Sequence, residues 1–431
     1  MPSRLPRNLN AVAFILALIA LGACQTRQTQ AASEPSGVSS PAPPKVKTGL
    51  EVWIKNGFAP FQGKRIGLVT NPTGVNSELR SSIDLLANSK AIKLVALFGP
   101  EHGVRGDVPA GVYTANSTDP STGIPVYALY GATRKPTAAM LKNVDVLVFD
   151  IQDIGSRSYT YISTLGLCME AAAENNVPFC ILDRPNPLGG ERIEGNIPLT
   201  AFRSFVGRYP VPYLHGLTLG EFAQMANAEG WLEGGKRCRL TVIPAEGWSR
   251  DMTWEETGLP WVLTSPHIPQ PITALHYAAT GMVGETPLLS IGVGYTLPFA
   301  LAGAPTISAY YFAKELNQRK LPGVYFRPMY WQPFYGAYTG RRCGGVQIHF
   351  TDPKRAQLSR LNLEIMDALR RLSPKTVFFP AGRERMFDLV CGTNQVRLSF
   401  KAGKSSSEIW RVWTAESEGF RKRREPYLLY R

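Results

Sequence analysis

Between residues 65 and 182, short and almost uninterrupted apolar runs recur, and each ends in polar or glycine–proline punctuation. Residues 65–70 run into Asn71-Pro-Thr-Gly74, and residues 92–98 stop at Gly99-Pro100. Residues 125–130, 144–149 and 178–182 repeat the pattern, the last two meeting Asp150-Ile-Gln-Asp153 and Asp183-Arg-Pro-Asn-Pro187. Helical spacing fills residues 81–86, 137–142 and 161–175. A strand with one wet face alternates polar and apolar side chains, and these runs do not. They predict an α/β fold, a Rossmann-like parallel sheet with helices on both faces. A further helix is expected over 218–229, with Thr218 as N-cap and Glu221 at capping-box spacing.

Beyond about residue 266 the pattern changes. Residues 281–305 are Gly-rich, 325–338 are aromatic-rich, 346–350 read as a strand, and 355–372 as an amphipathic helix. A smaller mixed α+β domain is expected over 266–431, after a Rossmann-like catalytic domain over 49–265. Near the end, Arg421-Lys-Arg-Arg424 reads as a solvated basic patch.

The N-terminus bears on location. Arg4 and Arg7 precede an apolar stretch over 11–21, too short to span a bilayer and of the length of a signal-peptide core. It closes in Leu21-Gly22-Ala23-Cys24, a lipobox-like string, so residues 1–23 are expected to be a signal peptide and Cys24 the lipidation site. Several acyl chains, at about 0.8 kcal/mol per buried CH₂, anchor a protein stably. The Ser/Pro/Ala-rich residues 24–48 read as a flexible tether. Gln25 favours the outer membrane, hence its periplasmic face. Lys+Arg exceed Asp+Glu by 47 − 33 = 14. That balance suits an anionic wall polymer or lipid, and no nucleic-acid partner is expected. Five further cysteines show no metal spacing, and a Cys343–Cys391 bridge is an open possibility.

In parallel sheets, ligands sit beyond the carboxyl ends of the strands, where polar groups accumulate here. Glu101, between Gly99 and Gly103, is the leading candidate. A carboxyl at the rim of an apolar sheet has its pKa raised by desolvation, as a general acid needs; a helix cap or a surface ion pair is the alternative. Asp150 and Asp153 could complete an acid pair for glycoside hydrolysis or hold a divalent cation. Equally, they could cap a helix and pair with Arg157 or Arg184. Asn71, His102, Arg105, Arg184, Asn186, Glu194, His215 and His267 are candidate substrate ligands, whereas His276 and His349 read as core or interface residues. No HExxH zinc motif, dinucleotide fingerprint or nucleophile elbow is present, so no cofactor or metal is expected.

Long strings carry a specific resemblance: Gly67-Leu-Val-Thr-Asn-Pro-Thr-Gly74, Leu97-Phe-Gly-Pro-Glu-His-Gly-Val-Arg-Gly106, Phe149-Asp-Ile-Gln-Asp-Ile-Gly-Ser-Arg157, Tyr159-Thr-Tyr-Ile-Ser163, Asp183-Arg-Pro-Asn-Pro-Leu-Gly-Gly190 and His215-Gly-Leu-Thr218. The chain resembles the bacterial exo-β-N-acetylmuramidase family, densely over about residues 49–310. The resemblance implies a cleft between the two domains, Glu101 as catalytic acid, and release of N-acetylmuramic acid from the non-reducing ends of peptidoglycan fragments. Departures fall in the second domain. His267 replaces an amide, Glu285 is kept as a candidate sugar ligand, and Leu288, Ile291 and Val293 stand where the family has an Asn, a Glu and an Arg. A sugar-binding lipoprotein without turnover is the rival reading.

Overall fold

A computed structural model of the chain describes residues 46–106, 111–113, 115–375 and 377–431. The signal peptide, Cys24 and most of the tether lie outside the described residues. Seven strands form the larger sheet: β1 (Arg65–Thr70), β2 (Lys93–Gly99), β3 (Ser117–Thr118), β4 (Pro125–Ala128), β5 (Val146–Asp150), β6 (Phe179–Leu182) and β7 (Leu240–Ile243). Their order is β3-β4-β2-β1-β5-β6-β7, parallel except for the short edge strand β3.

The unbroken apolar runs have the predicted cause. Along β1 and β5, Leu68, Val146 and Val148 enter one core with Leu50, Trp53 and Leu86, while Val69, Leu147 and Phe149 enter another with Leu165 and Met169. Successive side chains point to opposite faces, and both faces are dry. Register aligns the strand ends, Val69 beside Phe98 and Thr70 beside Asp150. The loops that follow therefore leave from one edge. Helix Tyr161–Glu174 crosses between β5 and β6, and helix Leu219–Ala228 precedes β7. The Thr218–Glu221 capping box is formed as expected.

The smaller sheet is antiparallel, β8 (Leu301–Ala304), β9 (Val324–Trp331) and β10 (Cys343–Phe350), in the order β8-β10-β9. Helices Pro271–Thr280, Ala309–Asn317, Leu358–Leu372, Arg385–Cys391, Gln395–Lys401 and Ser406–Arg424 accompany it. Its core joins Phe312, Phe326, Ile348 and Ile365 to Tyr213 and Leu214 of the larger lobe.

Several expectations need correcting. Cys343 and Cys391 are both free thiols. They sit in different apolar clusters, Cys343 with Leu301 and Trp331, Cys391 with Phe387 and Val390. The basic run at the end of the chain is not a solvated patch throughout. Arg424 is buried and donates to the carbonyls of Gly190, His215 and Gly216, while Arg423 pairs with Glu229. Six residues after Arg424 the chain returns to the large sheet, and the Tyr430 hydroxyl donates to Asp183 at 2.7 Å. His276 is buried, its Nε2 3.0 Å from the Ile348 carbonyl oxygen, but His349 is exposed because strand alternation turns it outward. Among the described residues no helix is long and apolar enough to cross a membrane.

Candidate active site

Glu101 stands two residues beyond β2, on a turn closed by the Gly103 amide donating to the Pro100 carbonyl at 3.0 Å. His102 and Gly103 both have positive φ, 76° and 75°. For a non-glycine residue that conformation costs about 1–3 kcal/mol and persists only where the surroundings impose it; here His102 is buried. The turn presents a half-buried Glu101 carboxylate. Its Oε1 accepts from the Gly111 amide at 3.1 Å and its Oε2 from the Thr160 hydroxyl at 3.3 Å. The Tyr130 hydroxyl is a third partner, and its pKa is raised by partial burial and by the charge and hydrogen bond of Glu101. Tyr130 is carried beside Glu101 because the Leu129 amide bonds the Gly99 carbonyl at the end of β2.

A tyrosine pair lines the next stretch of the edge. The Tyr159 hydroxyl donates to Thr264 Oγ1 at 2.8 Å and that of Tyr161 to the Thr264 carbonyl at 2.5 Å, their rings meeting edge to face. Both phenols are pushed above the ordinary range by burial, with the charges of Glu101 and Asp153 adding to the effect. Asn71 lies next to Tyr161, and its Oδ1 accepts from the Thr73 amide at 3.0 Å and the Thr73 hydroxyl at 2.5 Å. Beyond Thr264 lies His267, whose Nε2 is 2.8 Å from the Tyr335 hydroxyl of the small lobe. Burial and the nearby His102 lower the His267 pKa. Glu101, His102, Asn71, Asp153 and His267 thus belong to one neighbourhood.

Asp153 is fully enclosed. Its Oδ1 accepts from the Gly155 amide at 2.7 Å, its Oδ2 has no hydrogen-bond partner, and burial pushes its pKa up to about 7. Asp150 took the structural alternative, since its Oδ1 accepts from Arg184 Nε at 2.7 Å and both side chains are buried. Arg184 also donates to the Val75 carbonyl, so its charge is spent inside the fold.

The remaining candidates are engaged elsewhere. Asn186 uses its whole amide internally, accepting from the Leu188 amide and donating to the Leu217 carbonyl. Arg105 pairs with Asp119 and Asp84. Glu194 accepts from Arg192 and from Ser359 at the start of helix Leu358–Leu372. His215 is sealed beside Arg424, with its pKa lowered to about 3 by burial. Glu285 lines a separate cavity of about 530 Å³ with Thr286, Leu289, Arg383 and Arg385, and burial raises its pKa. Leu288, Ile291 and Val293 pack against the small-lobe core. These outcomes share a cause: a charged residue at a strand end reads the same whether it faces a cleft or a neighbouring loop.

Two family profiles cover this chain: exo-beta-N-acetylmuramidase NamZ, N-terminal, over residues 66–272, and its C-terminal counterpart over 275–430. The chain belongs to the NamZ family. It is 42% identical over 418 residues to the peptidoglycan beta-N-acetylmuramidase NamZ of Bacillus subtilis (strain 168), covering 97% of this chain and 99% of that one. Two crystal structures of DUF1343 family proteins from Bacteroides fragilis NCTC 9343 share the fold. One has a TM-score of 0.86 at 47% identity, the other 0.75 at 32%, each covering 90% of this chain and 99% of its own. For a NamZ family chain, sequence reasoning named the central carboxyl but missed its partners Tyr130, Thr160 and the Gly111 amide. Tyr130 closes a predicted strand, and that was the one signal available for it.

Proposed function

We propose that the protein is an exo-acting glycosidase that releases N-acetylmuramic acid from the non-reducing ends of peptidoglycan fragments, with Glu101 as general acid. The observation that carries this reading is the state of Glu101. Of the strand-end carboxyls Glu101, Asp150, Asp153 and Asp183, it alone is partly exposed, and it is held by two hydroxyls and one amide rather than by a cation. A carboxyl in that setting can hold a proton and deliver it to a leaving oxygen at the cleft. Family membership and the muramidase activity of the Bacillus subtilis relative support the same substrate class. Asp150, neutralised by Arg184, is set aside. Asp153, buried, bears on the site through the charge it adds near Tyr159 and Tyr161.

The same reading places the protein on the periplasmic face of the outer membrane, anchored through Cys24, with residues 24–48 as the tether. Residues 49–265 form the catalytic domain and 266–431 close the cleft. The test is incubation with glycan fragments that carry muramic acid at the non-reducing end, followed by mass spectrometry. Stepwise appearance of free N-acetylmuramic acid, with internal bonds intact, is the expected result. Binding of the fragments without any release supports the sugar-binding rival and refutes the glycosidase.

A further inference from the structure

Arg134 sits in the loop after β4, against the Tyr130 ring whose hydroxyl meets the carboxylate that the proposed reaction uses. The loop is fixed on both sides: the Leu129 amide bonds the Gly99 carbonyl, and Thr133 Oγ1 accepts from the Lys135 amide while donating to the Lys135 carbonyl. The guanidinium carbon lies 4.2 Å from the Phe205 ring centroid and 5.6 Å from that of Tyr130. Phe205 is itself tied to helix Tyr161–Glu174 by Ser163, whose hydroxyl donates to its carbonyl at 2.7 Å. Tyr130 is the phenol bonded to Glu101. The contrast with the next residue is informative. Lys135 meets Glu170, Glu174 and Glu233, whereas Arg134, half-buried, makes no ion pair among the described residues. Two aromatic rings thus flank a half-buried guanidinium that has no ion-pair partner among the described residues.

We infer that Arg134 is the receptor for the carboxylate of the 3-O-lactyl ether, the one group that distinguishes N-acetylmuramic acid from N-acetylglucosamine. The inference rests on the glycosidase reading and names the contact that selects its sugar. A planar fork held by two rings suits bidentate binding of a carboxylate, and partial desolvation strengthens that bond. A sugar lacking the lactyl group would leave the guanidinium unanswered, which is the stronger form of discrimination.

The test uses kcat/KM for three aryl glycosides, the N-acetylmuramide, its lactyl methyl ester and the N-acetylglucosaminide, with wild type, Arg134→Met and Arg134→Lys. Esterification should cost wild type about 10- to 100-fold, the range for hydrogen bonds to a charged group. Arg134→Met should lose a similar factor on the free acid and no more on the ester, because the two changes remove one contact. Arg134→Lys should fall between, keeping charge but not the fork. Equal losses for Arg134→Met on acid, ester and glucosaminide would overturn the inference, as would a variant that still prefers acid to ester. The ester arm needs no mutant, so a folding defect does not obscure it. If wild type hydrolyses none of the three, the glycosidase reading has failed. Calorimetric titration with N-acetylmuramic acid and N-acetylglucosamine then decides for Arg134: a wild-type preference for the acid that Arg134→Met abolishes supports the assignment, and equal affinities refute it.

Discussion

Replacing Glu101 by Gln removes the transferable proton and little else. The variant's carbonyl oxygen can still accept from the Gly111 amide, which can only donate. Its amide then faces Thr160 and Tyr130, whose hydroxyls rotate to accept instead of donate. The expected change in stability is therefore about 0.5 kcal/mol or less, the range for substitutions that leave no buried group orphaned. Catalysis should respond differently. A positioned general acid contributes roughly 10²- to 10⁴-fold, or about 3–5 kcal/mol of barrier. The decisive comparison is between leaving groups. A nitrophenolate departs as a stable anion and needs little protonation, whereas the 4-hydroxyl of a glucosamine residue needs a full proton. Glu101→Gln should lose about a hundredfold or more in kcat/KM on the muramyl disaccharide and less than about tenfold on the nitrophenyl muramide. Equal losses on both substrates would mean that Glu101 is not the acid. An undiminished disaccharide rate would remove it from the chemistry altogether.

Two further outcomes concern the charges around the site. Arg184→Leu leaves the Asp150 carboxylate buried and unpaired, and should cost about 3–5 kcal/mol in urea unfolding; a loss below about 1 kcal/mol would mean that the pair is hydrated. Asp153 keeps its proton up to about pH 7 when folded, against an ordinary value of 3.8, so the native state binds more protons than the unfolded chain between those limits. Its contribution is thus fully favourable below about pH 4 and is lost as pH rises towards 7. Relative to wild type, Asp153→Asn should gain stability across that window, approaching about 4 kcal/mol in melting experiments, and a gap that does not widen with pH contradicts the assignment.

The larger sheet was legible because burial on both faces leaves its mark on composition: β1 falls on the predicted residues 65–70, and the Thr218 cap on its predicted helix. The small lobe was harder for physical reasons. β9 is an edge strand whose exposed Tyr325, Arg327 and Tyr330 look like a polar loop, and it carries Pro328, which only an edge tolerates. After Cys343, β10 continues in Gly344-Gly345, where an added Cβ on Gly345 would sit 2.2 Å from the Ala302 carbonyl oxygen. Close packing of strands there demands residues that read as a turn. At the site, sequence order brought Glu101, Asn71 and His267 to one edge, yet it could not decide between a cleft and a neighbouring loop as the partner of Arg184, Asn186 or Glu194. That choice depends on contacts between segments far apart in the chain, such as Glu194 with Ser359.

Those long-range contacts tie charged residues that do not touch Glu101 to the way it is held. Glu194 accepts from the Ser359 amide and hydroxyl at 2.7 and 3.0 Å, so a carboxylate meets the positive end of helix Leu358–Leu372. Arg157 does the converse. Its Nη2 donates to the Val390 and Cys391 carbonyls at the negative end of helix Arg385–Cys391, and its Nη1 to the Asn196 and Val211 carbonyls. Burial lowers the Arg157 pKa to about 10, which leaves the guanidinium charged at neutral pH. Both residues are set by one small backbone ladder, in which Leu214 bridges Ser156 on one side and Glu194 on the other. Three residues beyond Arg157, Thr160 donates to Glu101. A shift of either small-lobe helix therefore acts on the same ladder that positions the donor to the proposed acid. The setting of Glu101 is thus coupled, through Thr160 and this ladder, to two buried charges that hold small-lobe helices in place.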